Sequence, residues 1–291
     1  MLQQTRMEVV VPYFERFLGR FPDLASLAAA TDDEVTAAWS GLGYYRRAKM
    51  LRAGAGAVMD RFGGAIPSSV EELRTIPGIG RYTAGAIASV AWQQRAPIVD
   101  GNVARVLARV FGHEGDAWPI AENLVRACKS PRALNQGLME LGALVCRPRN
   151  PACLLCPLRN DCLARRTNRI EDLPPPKAKK ATRTLRIPLY LVRDRRGRVL
   201  LWRASGPLMD AMYHLPHGNR SLLESATPEV ERGELVGTFR HTVTTRRIEF
   251  VVYTATLRGR ARRGYEWIDP RTLGDLPHPS YVKKALRLPP S

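Results

Sequence analysis

Apolar residues recur at helical spacing as far as Arg166, then gather in short extended runs beyond residue 184. Tyr13 to Leu18 reads as a short amphipathic helix with Pro12 near its first turn. Thr31-Asp-Asp-Glu34 has the spacing of a capping box, opening a helix that ends at Gly41-Leu-Gly43. Tyr44 to Phe62 forms the next helix, stopped by Gly63-Gly64, and Ser68 with Glu71 supplies a second capping box. That box leads into a helix, a tight turn at Pro77-Gly78-Ile79-Gly80 and a second helix. Val103, Val106, Leu107 and Val110 make one apolar stripe, and Leu134, Leu138, Leu141 and Val145 make another. The opening Met1-Leu-Gln-Gln-Thr5 is apolar and helix-like but has no N-cap or acidic first turn, so it reads as part of a longer helix.

The pattern changes at Asn168 to Thr184, where Leu-Pro-Pro-Pro-Lys-Ala-Lys-Lys is extended and basic and reads as a linker with nothing to bury. Beyond it, Leu185–Val192, Arg198–Trp202, Val236–Thr242 and Ile248–Leu257 have strand composition, and Arg196-Gly197 joins the first pair. Tyr281–Leu286 closes the chain with a short helix. An all-α region is therefore followed by an α+β region, and no internal repeat is visible.

Two features of the helical region suggest chemistry. Gly78 and Gly80 allow a turn of positive φ whose backbone comes close to a ligand, and the free N–H groups opening the next helix suit a phosphate oxygen. Asp100 stands about twenty residues on, just ahead of the Val103 stripe. An Asp-Gly pair at such a position is often only a turn and cap. After a phosphate-gripping turn, it can instead stabilise positive charge on a sugar as a glycosidic bond breaks. That pairing suggests a DNA-repair enzyme acting on the sugar–base bond.

Charge supports a nucleic-acid partner: the 291 residues carry a formal net charge of +18, which attracts polyanions. No run of about 18 apolar residues and no signal peptide is visible, so a cytoplasmic protein without a membrane partner is expected. Four of the five cysteines fall in one run, Cys146-x6-Cys153-x2-Cys156-x5-Cys162; Cys128 stands apart. Clustering of this kind points to a metal group rather than disulfides. The spacing suits a [4Fe–4S] cluster; zinc is the rival, although its sites usually show two short cysteine pairs and only Cys153/Cys156 is one here. Arg147, Arg149, Arg159, Arg165 and Arg166 surround the run, either as solvated charge or as a second phosphate contact.

Residues 2–166 resemble the helix-hairpin-helix DNA glycosylases that carry an iron–sulfur cluster, and more narrowly the adenine DNA glycosylases of the MutY type. The resemblance rests on Met1-Leu-Gln-Gln-Thr5, Gly41-Leu-Gly-Tyr-Tyr45, Pro77-Gly-Ile-Gly-Arg-Tyr-Thr83, Val99-Asp-Gly-Asn-Val103, Leu134-Asn-Gln136 and the cysteine run. It implies an all-α helix-hairpin-helix glycosylase domain over 1–167 with a [4Fe–4S] loop at 146–162. A basic, proline-rich linker at 168–184 and an α+β Nudix-like lesion-recognition domain at 185–291 would follow. The C-terminal likeness lies in Leu215-Pro216 and Phe239-Arg-His-Thr242, and no pyrophosphatase helix accompanies it.

The resemblance also implies roles. Asp100 would stabilise or attack the sugar cation, supported by Tyr82 and Asn102. Gln136 would contact the flipped adenine, while Gln4, Thr5, Leu42 and Tyr44 would fill the gap and contact the opposite 8-oxoguanine. Gly78 and Gly80 would hold the backbone, and Cys146, Cys153, Cys156 and Cys162 would ligate the cluster. The sister endonuclease III family has a Schiff-base lysine where Tyr82 stands, which favours a monofunctional glycosylase over a lyase. The expected activity is hydrolysis of adenine mispaired with 8-oxoguanine or guanine, by a monomer on double-stranded DNA at the nucleoid.

Two departures accompany the resemblance. The family's acid glutamate falls just ahead of the segment that begins this chain, and Glu8 is a poor substitute. The expectation is an N-terminally shortened chain, with a catalytically impaired lesion-binding protein as the alternative to the enzyme. A cluster-based redox signalling protein is a third reading. Where many members have Phe-Ser-His in the recognition loop, this chain has Val243-Thr244-Thr245, leaving the Thr244 hydroxyl to contact the lesion.

Overall fold

A computed structural model of the chain describes residues 1–2, 5–175, 183–203, 211–217, 229–243, 246–261 and 264–289. The helices are α1 (Met7–Arg20), α2 (Leu24–Ala29), α3 (Asp32–Ala38), α4 (Arg46–Phe62), α5 (Val70–Thr75), α6 (Arg81–Trp92), α7 (Gly101–Phe111), α8 (Trp118–Ala127), α9 (Pro131–Glu140), α10 (Leu163–Arg166) and α11 (Ser280–Leu286). The strands are β1 (Arg183–Val192), β2 (Val199–Arg203), β3 (Tyr213–His214), β4 (Val230–Val243), β5 (Arg246–Leu257) and β6 (Tyr265–Ile268). They form two compact units: residues 57–179, and residues 1–56 together with 180–291. No helix among the described residues is long and apolar enough to cross a membrane.

In the unit spanning 57–179, α5 and α6 form the helical hairpin, and α9 packs against both α6 and α7. The α5 cap lies one residue later than the sequence pattern suggests. The Ser69 hydroxyl, not that of Ser68, accepts the Glu72 N–H at 3.2 Å and donates to the Glu72 carboxylate at 2.9 Å. Both Ser-x-x-Glu registers are available, and the observed one places Leu73 on the fully buried face. Asn135 pins α9 to α6, its amide donating at 2.8 Å to both the Ser89 hydroxyl and the Ala96 carbonyl. The stripe of Val103, Val106, Leu107 and Val110 enters one core with Leu134, Leu138 and Leu141. Beyond Glu140 the helix continues as a π-helical turn, Leu141–Val145.

The presumed linker begins inside this unit. Leu173 is fully buried, and its carbonyl accepts a 2.9 Å hydrogen bond from Arg109. The expectation that nothing is buried from 168 to 184 therefore fails at Leu173.

In the other unit, α1 is longer than expected and carries Pro12 within it. Val10 and Phe17, two turns apart, share the buried face, and this burial carries the helix across the proline. Thr31 and Glu34 make the expected reciprocal capping box. Met1 and Leu2 are not helical. Asp33 accepts Arg203 on both carboxylate oxygens at 2.6 Å, and the Tyr45 hydroxyl donates to the His278 carbonyl, so the first helices pack with the C-terminal region. One sheet runs β1-β5-β4, with β1 parallel and β4 antiparallel to β5; the other runs β3-β2-β6. The two-residue β3 and the β6 strand were not legible as strands. Ile187, Leu189, Ile248, Phe250 and Val252 form the core under α11, which buries Tyr281, Val282 and Ala285.

Gly85 marks the tightest approach in the helical unit, since a Cβ there would overlap the Pro97 carbonyl oxygen. Gly85→Ala is expected to destabilise this unit by about 1–3 kcal/mol through overpacking, seen as a lower denaturant midpoint. An unchanged midpoint would show that the 96–98 segment yields freely.

Candidate active site and cysteine loop

The hairpin turn has one left-handed residue rather than two. Gly78 sits at φ +83°, but Gly80 is extended at φ −90° and ψ 179°, at the N-cap of α6. Any residue adopts that backbone, so positive φ does not explain Gly80. Nothing lies within 4 Å of the position a Cβ would take there, so a side chain would have room. The amides opening α6 thus face an uncovered surface with no side-chain cap, an arrangement suited to an anion. Arg81, the first residue of α6, stacks 3.8 Å from the Trp118 ring and pairs with Glu122 at 2.8 Å, fixing α6 to α8.

Asp100 is the N-cap of α7, where one carboxylate oxygen accepts the Val103 N–H at 2.7 Å. The other faces the Asn102 amide at 3.4 Å. The cap and the candidate catalytic roles therefore fall on one half-buried side chain. The Tyr82 phenol is pushed up by burial first and by the Asp100 charge second. Its hydroxyl lies 3.4 Å from the Met139 sulfur on α9, and Gln136, exposed, lies one turn earlier on that helix. Tyr82, Asp100 and Asn102 come together, with Gln136 on the adjoining helix.

Two buried arginines, unmarked by the apolar pattern, join this site to the cysteines. Arg105 donates to the Cys146 and Gly142 carbonyls at 2.7 Å each, to the Asn102 side chain at 2.8 Å and to the Gly101 carbonyl at 3.2 Å. One turn on, Arg109 donates to the Arg147 carbonyl at 2.8 Å, the Pro148 carbonyl at 3.3 Å and the Cys146 sulfur at 3.5 Å. Gly142 lets the π-helical turn approach α7, because a Cβ there would lie 2.7 Å from that of Asn102. An arginine pair at i, i+4 inside an otherwise apolar helix face was the available sequence signal.

The four cysteines line one pocket, open to solvent, together with Val106, Arg109, Leu141, Arg159 and Arg165. Burial, then the charges of Cys146, Cys162 and Cys156, push the Cys153 thiol up. No three His, Cys, Asp or Glu side chains among the described residues are arranged to hold a single metal ion. A [4Fe–4S] group asks for something else: one thiolate at each of four separate irons, spread round a cage. A pocket lined by four cysteines and three arginines suits the thiolate ligands and the negative charge of such a group.

The unit of residues 1–56 and 180–291 holds the other candidates. Leu42 is buried in its core. Tyr44 is half-exposed at φ +49°, a conformation costly for a bulky side chain. Arg47 organises its surroundings. Its guanidinium donates to the Met1 carbonyl at 3.0 Å, the Gly43 carbonyl at 3.3 Å and the Thr5 hydroxyl at 3.4 Å, and lies 5.6 Å from the Tyr44 ring. Thr5 and Tyr44 are thereby brought to one place. Gly41, at φ +111°, leaves room for the Tyr13 hydroxyl where a Cβ would be. Gln4 and Thr244 lie outside the described residues.

A hairpin open to an anion is thus followed, on the next helix, by a capped aspartate. Residues 1–132 match the HhH-GPD superfamily of base excision DNA repair proteins. A thermostable thymine-DNA glycosylase has a similar structure, with TM-score 0.53 and 27% identity over 57% of this chain and 80% of its own. An endonuclease III–DNA complex shares the fold at TM-score 0.50 and 22% identity, over the same shares of the two chains.

Over part of its length the chain is also similar to curated adenine DNA glycosylases. It is 45% identical to the adenine DNA glycosylase of Rattus norvegicus over 56% of this chain and 34% of that protein. Identity to the Homo sapiens protein is 44%, over 60% and 33%. For the protein of Buchnera aphidicola subsp. Schizaphis graminum it is 39%, over 62% and 54%. The chain thus matches between a third and about half of the length of these relatives.

Removing the Arg105 fork leaves the carbonyls of Gly142 and Cys146 without this donor. Arg105→Gln is expected to loosen the 142–147 segment by about 1–3 kcal/mol, read as faster amide hydrogen exchange there. Unchanged exchange would mean that the fork holds nothing.

Proposed function

We propose that the chain is a base-excision repair enzyme that hydrolyses the N-glycosidic bond of adenine mispaired with 8-oxoguanine or guanine in duplex DNA. The observation that carries this is the placement of Asp100, oriented by the Val103 amide and flanked by Tyr82 and Asn102, on the helix that follows the phosphate-holding hairpin. The hairpin amides grip the backbone while the adenine is turned out of the stack, at a cost of a few kcal/mol. Gln136 meets the extruded base. The base departs with the bonding electron pair and takes up a proton from solvent. Positive charge develops on deoxyribose, and Asp100 lowers the energy of that state by fixed electrostatic attraction. Water then adds to the sugar and gives up its proton to solvent. Asn102 and the Val103 amide hold the carboxylate still, so no reorganisation is needed as the charge forms.

Tyr82 offers a phenol and no amine, so the sugar is released to water rather than to a covalent imine. Thr5 and Tyr44, gathered by Arg47, would meet the opposite base, and Leu42 would support them from beneath. Cys146, Cys153, Cys156 and Cys162 would hold a [4Fe–4S] group. When bound, it would cross-link the loop and offer one-electron chemistry, while Arg105 and Arg109 join that loop to α7.

Asp100→Asn separates fold from chemistry, because asparagine keeps a cap oxygen for the Val103 amide. Its melting temperature and duplex affinity should match the parent, while single-turnover release of adenine should fall by about 10²-fold or more. Equal cleavage would remove the mechanism. Tight binding without cleavage by the parent chain would favour a lesion-binding protein instead. Iron and acid-labile sulfide analysis of purified protein tests the cofactor, with four of each per chain expected for the cluster and a single zinc contradicting it.

Gly80→Leu places a side chain in the open space over the hairpin. It should leave stability unchanged and weaken duplex affinity about tenfold, equivalent to about 1.4 kcal/mol. Unchanged affinity would show that the backbone of DNA does not lie there.

A further inference from the structure

The turn that leads into α4 is strained at three of its four residues. Gly41, Gly43 and Tyr44 take positive φ, at +111°, +71° and +49°. Glycine does so at little cost, but a tyrosine does not. The Tyr44 ring is half-exposed, so its own burial does not offset the strain. What holds it is the peptide joining Gly43 to Tyr44. The Gly43 carbonyl accepts the Trp39 indole N–H at 3.2 Å and an Arg47 N–H at 3.3 Å. Trp39 is fixed in the core, and the Arg47 guanidinium lies 5.3 Å from its ring. The same guanidinium reaches a second segment, donating to the Met1 carbonyl at 3.0 Å and to the Thr5 hydroxyl at 3.4 Å. Arg47 stands in the first turn of α4, which holds no acidic residue. The helix dipole opposes a cation at that end, so the arginine does not serve its own helix.

We propose that Arg47 is a positioning residue that sets which base is accepted opposite the target adenine, acting through Thr5 and Tyr44. A planar guanidinium can brace both segments at once, which the single nitrogen of a lysine cannot do. Accepting the Arg47 N–H leaves the Thr5 hydroxyl its own proton to donate. 8-Oxoguanine has a carbonyl oxygen where guanine carries a C–H. A hydroxyl fixed as a donor, beside an aromatic ring of fixed direction, therefore separates the two bases, whereas a freely turning pair accepts either. The inference rests on the reading of the chain as acting on adenine opposite 8-oxoguanine or guanine, and adds the group that sets the preference between them.

The test is the affinity of the full chain for two duplexes, each carrying an uncleavable 2′-fluorinated adenosine, opposite 8-oxoguanine in one and guanine in the other. The ratio of the two affinities within one protein is not moved by partial unfolding, which weakens both alike. Arg47→Met should lower that ratio about tenfold, and Arg47→Lys, which keeps the charge without the fork, by about threefold. Thr5→Val should lower the ratio in the parent and add little in the Arg47→Met background, because both changes remove one constraint. If Arg47→Met does not fold, the same cycle is run with Arg47→Lys. A parent that binds the two duplexes equally, an unchanged ratio in the Arg47 variants, or fully additive effects of Thr5→Val would each overturn this proposal alone. Absence of duplex binding by the parent would overturn the repair reading and this one with it.

Discussion

A single hydrogen bond, from the Val103 amide to the Asp100 carboxylate at 2.7 Å, carries the account of this site. It ends the extended segment 96–100, starts α7 and fixes the direction of the only acidic side chain in the Asp100–Asn102 turn. A cap of this kind is worth about 1 kcal/mol in any protein. In the proposed reaction the same geometry would remove rotamer freedom from the group that meets a developing cation, so structural and chemical demands would converge on one residue. The rest of the helical unit serves that placement. Val103, Val106 and Leu107 bury α7 in the core, Gly142 allows the π-helical turn against it, and Arg105 reaches from α7 to Asn102 and Cys146.

Buried arginines usually need a carboxylate partner. Arg105 and Arg109 are instead satisfied largely by backbone carbonyls at the end of a helix and in an irregular loop. Such carbonyls carry partial negative charge and have no helical partner of their own. The guanidinium groups therefore close hydrogen bonds that the cysteine loop cannot make within itself. Their positive charge also faces sulfurs that would be thiolates in a cluster, so the loop and α7 are linked both by hydrogen bonds and by charge.

Much of this was legible in the sequence because local rules and tertiary packing agree. Thr31 and Glu34 cap α3 as their spacing requires, Gly63-Gly64 ends α4, and the Val103 stripe is the buried face of α7. Disagreements arise where two local solutions compete or where the decisive partner is distant in sequence. Ser68 and Ser69 each satisfy the capping pattern, and only the burial of Leu73 selects the second. Gly80 looks like a left-handed glycine, whereas it is extended and has open space around it. Pro12 suggested a helix start, but Val10 and Phe17 bury a face that crosses it. Leu173 sits in a proline-rich run, and a guanidinium sixty-four positions earlier holds its carbonyl. The short β3 and β6 strands depend on pairing with β2 rather than on their own composition.

The most direct test of the central claim is the binding of a duplex whose target sugar is replaced by a cationic nitrogen ring, compared with one bearing a neutral abasic ring. If Asp100 faces the deoxyribose cation, the parent should prefer the charged ring by about 10²-fold or more, as expected for a transition-state mimic, and Asp100→Asn should erase the preference while binding the neutral ring unchanged. An equal preference in parent and variant would place the carboxylate away from the reacting sugar and contradict the account.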